Sequence, residues 1–242
     1  MVERLTSRKN PKVIEAFSYK KNAGDYFLVE GFHTVMMALE GRLAVSVFAL
    51  KEIETKGVPL YLVTSEIIEK LSSTRNPEGI VALCKKKTIG KLSSNRVLML
   101  DQVQDPGNIG TLLRTALAFG YNDVILTKGS CDPYNAKALL ASQGAIFQLN
   151  IFMDQDGENV LKTLKENGYY VVGTSLRRAV SLTDFAMPDS KICVLLGNEG
   201  QGVSDVLLDN TDINIKIPIA NIESLNVGVA GGILMQRLSL IK

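Results

Sequence analysis

Asp105-Pro106-Gly107-Asn108-Ile109-Gly110-Thr111-Leu112-Leu113-Arg114 is the stretch on which the fold turns. It follows the apolar run Val97-Leu98-Met99-Leu100, which reads as a buried strand, through a loop that Pro106-Gly107 marks as a turn. Asn108 is placed to cap a helix running through Ala118 to Phe119, with Gly120 closing it. Arg114 falls in the second turn of that helix. Helical side chains lean toward the N-terminus, and the residue four places back is Gly110, so the guanidinium can lie over it toward Asn108. A helix start offers unpaired N–H groups and a positive dipole end, which suit an anion or a developing oxyanion. Taken alone, the Asn108 to Arg114 spacing reads as a capped helix with a surface charge. Two further loops change that reading.

Leu196-Gly197-Asn198-Glu199-Gly200 follows the apolar strand Ile192 to Leu196, and Glu223-Ser224-Leu225-Asn226-Val227 follows Ile217-Pro218, which ends another. Each loop is rich in the residues that suit tight turns and an open backbone. Ligands of α/β sheets bind where strands end and loops begin, so three such loops imply one composite pocket. Neither the dinucleotide fingerprint nor the phosphate loop ending in Gly-Lys-Ser/Thr is present, which disfavours a Rossmann cofactor or a nucleoside triphosphate. Glu199 has two readings: it orients a substrate group, or it caps a helix beginning near Val203. Ser224 is an N-cap for a final helix from Leu225 to about Leu240. Gly228, Gly231 and Gly232 inside that helix cost about 1 kcal/mol each against alanine, so tight helix packing or close approach of a ligand must offset them.

Outward from these loops, Val97 to Leu100, Asp123 to Leu126, Ala145 to Ile151, Tyr169 to Val172, Ile192 to Leu196 and Ile213 to Ile217 are apolar, β-branched runs, mostly separated by helical spacing. The fold class is α/β: a mainly parallel C-terminal sheet with helices on both faces. Ahead of it, helices expected at Pro11 to Lys21, Gly31 to Leu39 and Ser65 to Leu71 alternate with strands at Tyr26 to Val29, Leu43 to Leu50, Leu60 to Val63 and Ile80 to Leu83, a small α/β unit. Lys85-Lys86-Lys87, Gly90 and Ser93-Ser94 form a polar break. The expected domains are residues 1–91 and 92–242.

The composition, 46% hydrophobic and 21% charged, is that of a soluble globular protein. No apolar run is long enough for a bilayer and the start shows no secretory signal, so a cytoplasmic protein without membrane association is expected. Cys84, Cys131 and Cys193 are too scattered for a zinc site or a disulfide framework; buried reduced thiols and no metal are expected. Residues 1–91 carry 15 Lys and Arg against 10 Asp and Glu, a net of +5, whereas residues 92–242 carry 12 against 15, a net of −3. A basic front fits an anionic partner, or an excess of solvated charge. Arg8, Lys9, Lys12, Lys20 and Lys21 are the candidates for phosphate contacts with such a partner, or equally a solvated helix face.

The three loops, in this order, resemble the three motifs of the SpoU/TrmH family of RNA 2'-O-ribose methyltransferases of the SPOUT superfamily, over about residues 95–240. In the front, Phe27-Leu28-Val29-Glu30-Gly31 and Pro77-Glu78-Gly79-Ile80 resemble the family's L30e-like substrate-binding domain. The resemblance implies a catalytic domain that dimerises and contains a trefoil knot, a rare exception to the usual topology rules. It implies S-adenosylmethionine (SAM) held by Thr174, Leu196, Gly197, Ile217, Ser224 and Leu225, where Ile217 and Leu225 supply apolar walls and main-chain groups near Leu196 and Gly197 read the adenine edge. It makes Arg114 the catalytic residue, with Asn108, Glu199 and Asn226 beside it. The acceptor is a ribose 2'-hydroxyl of structured RNA, ribosomal RNA preferred; transfer RNA, or a silent RNA-binding protein of the same fold, are the alternatives. The chain departs from the family pattern at Asn221, where glycine is common, at Gly228, where serine or alanine is common, and in a stretch from Pro218 to Glu223 that is one residue short. The single His33 lies in the front unit at a helix start and is poorly placed as a base. Arginine stays charged in proteins, so Arg114 is read as holding a phosphate and stabilising the emerging alkoxide.

Overall fold

The computed structural model describes residues 2–20, 24–176, 179–186 and 189–239. Lys21, and Leu240 at the expected end of the final helix, lie outside the described residues. The chain divides into two compact units, Met1–Thr88 and Ile89–Lys242.

The first unit runs β1 (Val2–Leu5), α1 (Pro11–Ser18), β2 (Tyr26–Glu30), α2 (Phe32–Glu40), β3 (Ala44–Ala49), β4 (Leu60–Val63), α3 (Ser65–Leu71) and β5 (Ile80–Lys85). Its sheet has the order β1-β4-β3-β5-β2, with β4 parallel to β1 and β3, and β5 antiparallel to β3 and β2. Leu5, Val13, Phe48, Ile67, Ile68 and Val81 share its core. The strand β1 escapes sequence reading because Val2-Glu3-Arg4-Leu5 is only four residues long and sets two charged residues side by side, with no apolar alternation; it adds to the edge of the sheet beside β4.

The second unit runs β6 (Arg96–Leu100), α4 (Pro106–Ala118), β7 (Asp123–Thr127), α5 (Ala136–Ser142), β8 (Asn150–Gln155), α6 (Gly157–Glu166), β9 (Tyr169–Thr174), β10 (Val180–Ser181), β11 (Lys191–Leu196), α7 (Asp205–Leu208), β12 (Ile213–Lys216) and α8 (Val227–Ser239). The sheet order is β10-β12-β9-β11-β6-β7-β8, and every neighbouring pair is parallel. The continuous apolar runs are explained by cover on both faces. Val97, Met99, Val171, Cys193 and Leu195 pack with Leu161 and Leu164 of α6 and Leu207 of α7. On the opposite face, Leu196 and Leu112 of α4 close around Gly231 of α8.

Four expectations change. Ala145–Phe147 is a 3-10 turn, and the strand begins at Asn150; Gln143 and Gly144 both take positive φ, and a short apolar run cannot separate strand from turn by periodicity. The helix after the first motif starts at Pro106 with Asp105, not Asn108, as its cap: the Asp105 side chain accepts the Asn108 N–H at 2.9 Å, and proline suits the first helical position because its missing N–H would be unpaired there anyway. The final helix starts at Val227, and Asn226, not Ser224, accepts the Gly228 N–H at 2.9 Å. Cys84 and Cys193 are buried, whereas Cys131 is partly exposed.

Candidate active site

Because all seven strands run in one direction, β6, β9, β11 and β12 deliver their C-terminal ends to the same edge of the sheet. The loops that follow β9, β11 and β12 line a cleft of about 880 Å³, while neither the loop after β6 nor Asn108 at the start of α4 lines it; the volume is within the range typical of small-molecule sites. Thr174, Leu196, Gly197, Ile217, Ser224 and Leu225 all line it, as do Glu199 and Asn226. Gly197 permits this arrangement: a Cβ there would collide with the backbone of Gly202 and Val203, which the loop folds back through the Asn198–Gly202 bridge. The departure at Asn221 also has a backbone reason. Asn221 has φ 67, a left-handed conformation in which asparagine is among the few tolerated side chains.

A row of hydrogen bonds joins the three loops. The Asn226 Oδ1 faces the main-chain N–H groups of Gly228 and Val229, which turns its Nδ2 to donate to Asn108 Oδ1 at 2.9 Å. Asn108 Nδ2 then donates to Glu199 Oε1 at 3.0 Å. Glu199 also accepts the Asp105 N–H at 3.0 Å and the Gln104 N–H at 3.2 Å, so it joins the second loop to the first and does not cap a helix near Val203. Partial burial pushes the Glu199 carboxyl up, but the donors of Asn108, Asp105 and Gln104 outweigh it and hold the group below its ordinary value. Asp105 is also held below the usual range, first by the Asn108 N–H and then by Lys137. With both oxygens engaged, Glu199 is a cross-link and not a ready base.

Arg114 stands apart from this row. It is exposed on α4, does not line the cleft, and has no ion pair or hydrogen bond among the described residues. It lies six residues beyond Asn108, about 9 Å along the helix axis. The expected seat over Gly110 does not form, because Gly110 is buried against the Ala138 carbonyl and Ala141 of α5, and a Cβ would collide with both. Gly228 and Gly231 similarly face Thr111 and Leu112 of α4, so helix packing accounts for the glycines there.

The residues fit a bound SAM. Leu196, Ile217 and Leu225 give apolar walls, and the hydrogen bonds of the described residues leave the main-chain groups of Ile217 and Leu225 unclaimed. The Thr174 hydroxyl is already committed to the Leu195 carbonyl at 3.1 Å, which makes it a wall and not a free donor. Among the described residues no group of three or more His, Cys, Asp or Glu could hold a metal ion, and no helix is long and apolar enough to cross a membrane.

The SpoU rRNA methylase family profile matches residues 95–236. The chain belongs to the SpoU rRNA methylase family. An MRM3-like substrate-binding domain profile matches residues 12–82. The chain is 32% identical to the 23S rRNA (guanosine(2553)-2'-O)-methyltransferase RlmP of Bacillus subtilis (strain 168), over 98% of this chain and 99% of that protein. It is 31% identical to the uncharacterized tRNA/rRNA methyltransferase slr1673 of Synechocystis sp., over 96% of this chain and 91% of that one. The crystal structure of an AdoMet-bound rRNA methyltransferase from Sinorhizobium meliloti matches with a TM-score of 0.86 at 26% identity, covering 98% of this chain and 97% of that chain.

In the first unit of this SpoU-family chain the expected RNA cations are unevenly available. Arg8 and Lys9 are exposed. Lys12 pairs with Glu3 and lies 4.7 Å from the Tyr61 ring centre; the Glu3 hydrogen bond raises its pKa against a smaller opposing effect of burial. Lys20 donates to the carbonyls of Lys70 and Ser72. His33 is exposed in α2. The cleft also recruits Gln201, Ile219 and Leu234, which sequence reasoning missed. Gln201 and Ile219 flank the second and third motifs and could have been found as neighbours, whereas Leu234 reaches the cleft from inside α8 and carries no local signal.

Proposed function

We propose that this protein is a SAM-dependent methyltransferase that methylates a ribose 2'-hydroxyl in ribosomal RNA. The observation that carries the reading is a cleft at the carboxyl edge, lined by loops after β9, β11 and β12, two of which the Asn226–Asn108–Glu199 row ties to the start of α4. Full-length likeness to a 23S rRNA methyltransferase and fold likeness to an AdoMet-bound relative support it. SAM supplies an electrophilic methyl group. The chain's own residues do the rest: the cleft orients the donor, the asparagine–glutamate row keeps the loops in register, and Arg114, outside the cleft on α4, pairs with an RNA phosphate and stabilises the oxyanion, while the hydroxyl proton passes to water and the demethylated donor leaves.

The proposal extends to assembly and placement. The catalytic unit forms a homodimer, with Val229 and Ile233, both exposed and one turn apart on α8, at the contact. The loops of this unit form the trefoil knot of the family, residues 1–91 act as an L30e-like RNA-binding domain with Arg8 and Lys9 toward phosphate, and the protein works in the cytoplasm. Incubating total RNA with labelled SAM tests the activity, with ribose-specific mapping of the label. Label on ribosomal RNA is the expected result. Label on transfer RNA reassigns the substrate, and SAM or RNA binding without transfer leaves an RNA-binding protein of the same fold.

A further inference from the structure

Asp101 follows β6 directly and is 3% exposed. Its N–H donates to the Leu196 carbonyl at 2.8 Å, extending the contact of β6 with β11 by one residue. One carboxylate oxygen accepts the Thr127 hydroxyl at 3.0 Å, and the other accepts the Ser204 main-chain N–H at 3.0 Å. Thr127 is itself buried and accepts the Gln102 N–H at 3.1 Å. Gln102 has φ 54, a conformation that a residue bearing a Cβ keeps only where its surroundings hold it. The Gln102 carbonyl accepts Asn198 Nδ2 at 2.9 Å.

These contacts pin the cleft loop at both ends. Asn198, near its start, is held through Gln102, and Ser204, just past its end, is held by Asp101. Both oxygens of Asp101 accept, and the Thr127 hydroxyl, which takes the Gln102 N–H on one lone pair, spends its one proton on Asp101. Asp101 and Thr127 do not line the cleft.

We propose that Asp101, with Thr127, is a positioning residue that sets the loop Gly197–Val203 in its binding form before the methyl donor arrives. The inference rests on the methyl-transfer reading above. A loop held in advance spares the donor the loss of affinity that a partly populated competent form imposes.

Asp101→Asn is the test, because its amide keeps the Ser204 N–H only by turning Nδ2 toward Thr127, whose hydroxyl proton then loses its acceptor. The expected result is a SAM Kd raised about tenfold by calorimetry, with kcat at saturating SAM within about threefold of wild type, since bound donor reorders the loop. The KM for RNA stays unchanged. Thr127→Val weakens SAM binding in the same direction and Thr127→Ser restores it; this pair carries the test where Asp101→Asn does not fold. Asp123→Asn is the control, a buried carboxylate at the opposite end of the sheet whose loss lowers the melting temperature and leaves the KM for SAM unchanged. Wild-type SAM affinity in folded Asp101→Asn and Thr127→Val, or an equal loss of affinity in Asp123→Asn, overturns the proposal and leaves the methyl-transfer reading standing. Wild-type protein that takes up no SAM overturns both.

Discussion

The two edges of the parallel sheet each bury one carboxylate, and they use it differently. At the amino edge, Asp123 accepts the Ser93 and Ser94 N–H groups at 2.6 and 2.7 Å and Asn150 Nδ2 at 2.7 Å, binding the entry to β6 against the starts of β7 and β8. Nearby, Arg96 donates to the Phe119 and Ser239 carbonyls at the ends of α4 and α8. That edge is closed by contacts between regular elements. At the carboxyl edge, Asp101 holds a loop that encloses space, and the backbone around it is left-handed at Gln102 and, farther along, at Asn221. A satisfied buried acceptor serves cohesion where chain ends meet, and geometry where they part around a ligand.

The contrast can be broken most severely at Arg114. Arg114→Ala is expected to lower methyl transfer by about 10²–10³, the effect of removing one oxyanion stabiliser, while SAM affinity in calorimetry stays at wild type. Activity within a few-fold would remove Arg114 from the chemistry. Gly197→Ala, which drives a Cβ into the Gly202–Val203 backbone, is expected to weaken SAM binding at least ~10-fold, with about 1–3 kcal/mol of overpacking to absorb. Asp123→Asn is expected to cost about 1–3 kcal/mol of stability in denaturant melts, because it replaces charge-assisted hydrogen bonds to the Ser93 and Ser94 N–H groups with weaker neutral ones, with SAM affinity intact. A matching loss of affinity would show that the two edges are not separable.

The smallest effect is expected at Glu199. Its carboxyl is held below the ordinary value, so its contribution is full above that value and is lost as pH falls through the lowered one. Glu199→Gln lacks this titration. The gap in melting temperature between wild type and variant is expected to be widest near neutrality and to close on acidification; a gap independent of pH would show that the cross-link does not depend on charge.

The parallel sheet was legible because fully covered strands must be continuously apolar, as in Val194-Leu195-Leu196, and the loops were legible because their glycines and asparagines have few other uses. The cap of α4 was harder to place. Asp105 and Asn108 are both good caps three residues apart, and Pro106 at the first helical position is what decides for Asp105. Gly110 was misread because its neighbour, α5, is set by tertiary packing and not by spacing within α4. The bonds from Asn108 to Glu199 and from Asn226 to Asn108 span 91 and 118 residues, so motif order could bring the residues under suspicion but could not state who donates to whom.

On the proposed role of the front unit in RNA binding, the engagement of Lys12, Lys20 and Lys70 within their own unit has a consequence for how tightly salt should govern that grip. Each cation that neutralises a phosphate releases condensed counterions, steepening the log–log dependence of affinity on salt by about 0.7 to 0.9. Lys12 is matched by Glu3, while Lys20 and Lys70 rest their ammonium groups on carbonyls of their own unit, so counterion release there falls to residues such as Arg8 and Lys9. These three lysines then add little to the ionic-strength dependence, which is set by the exposed cations.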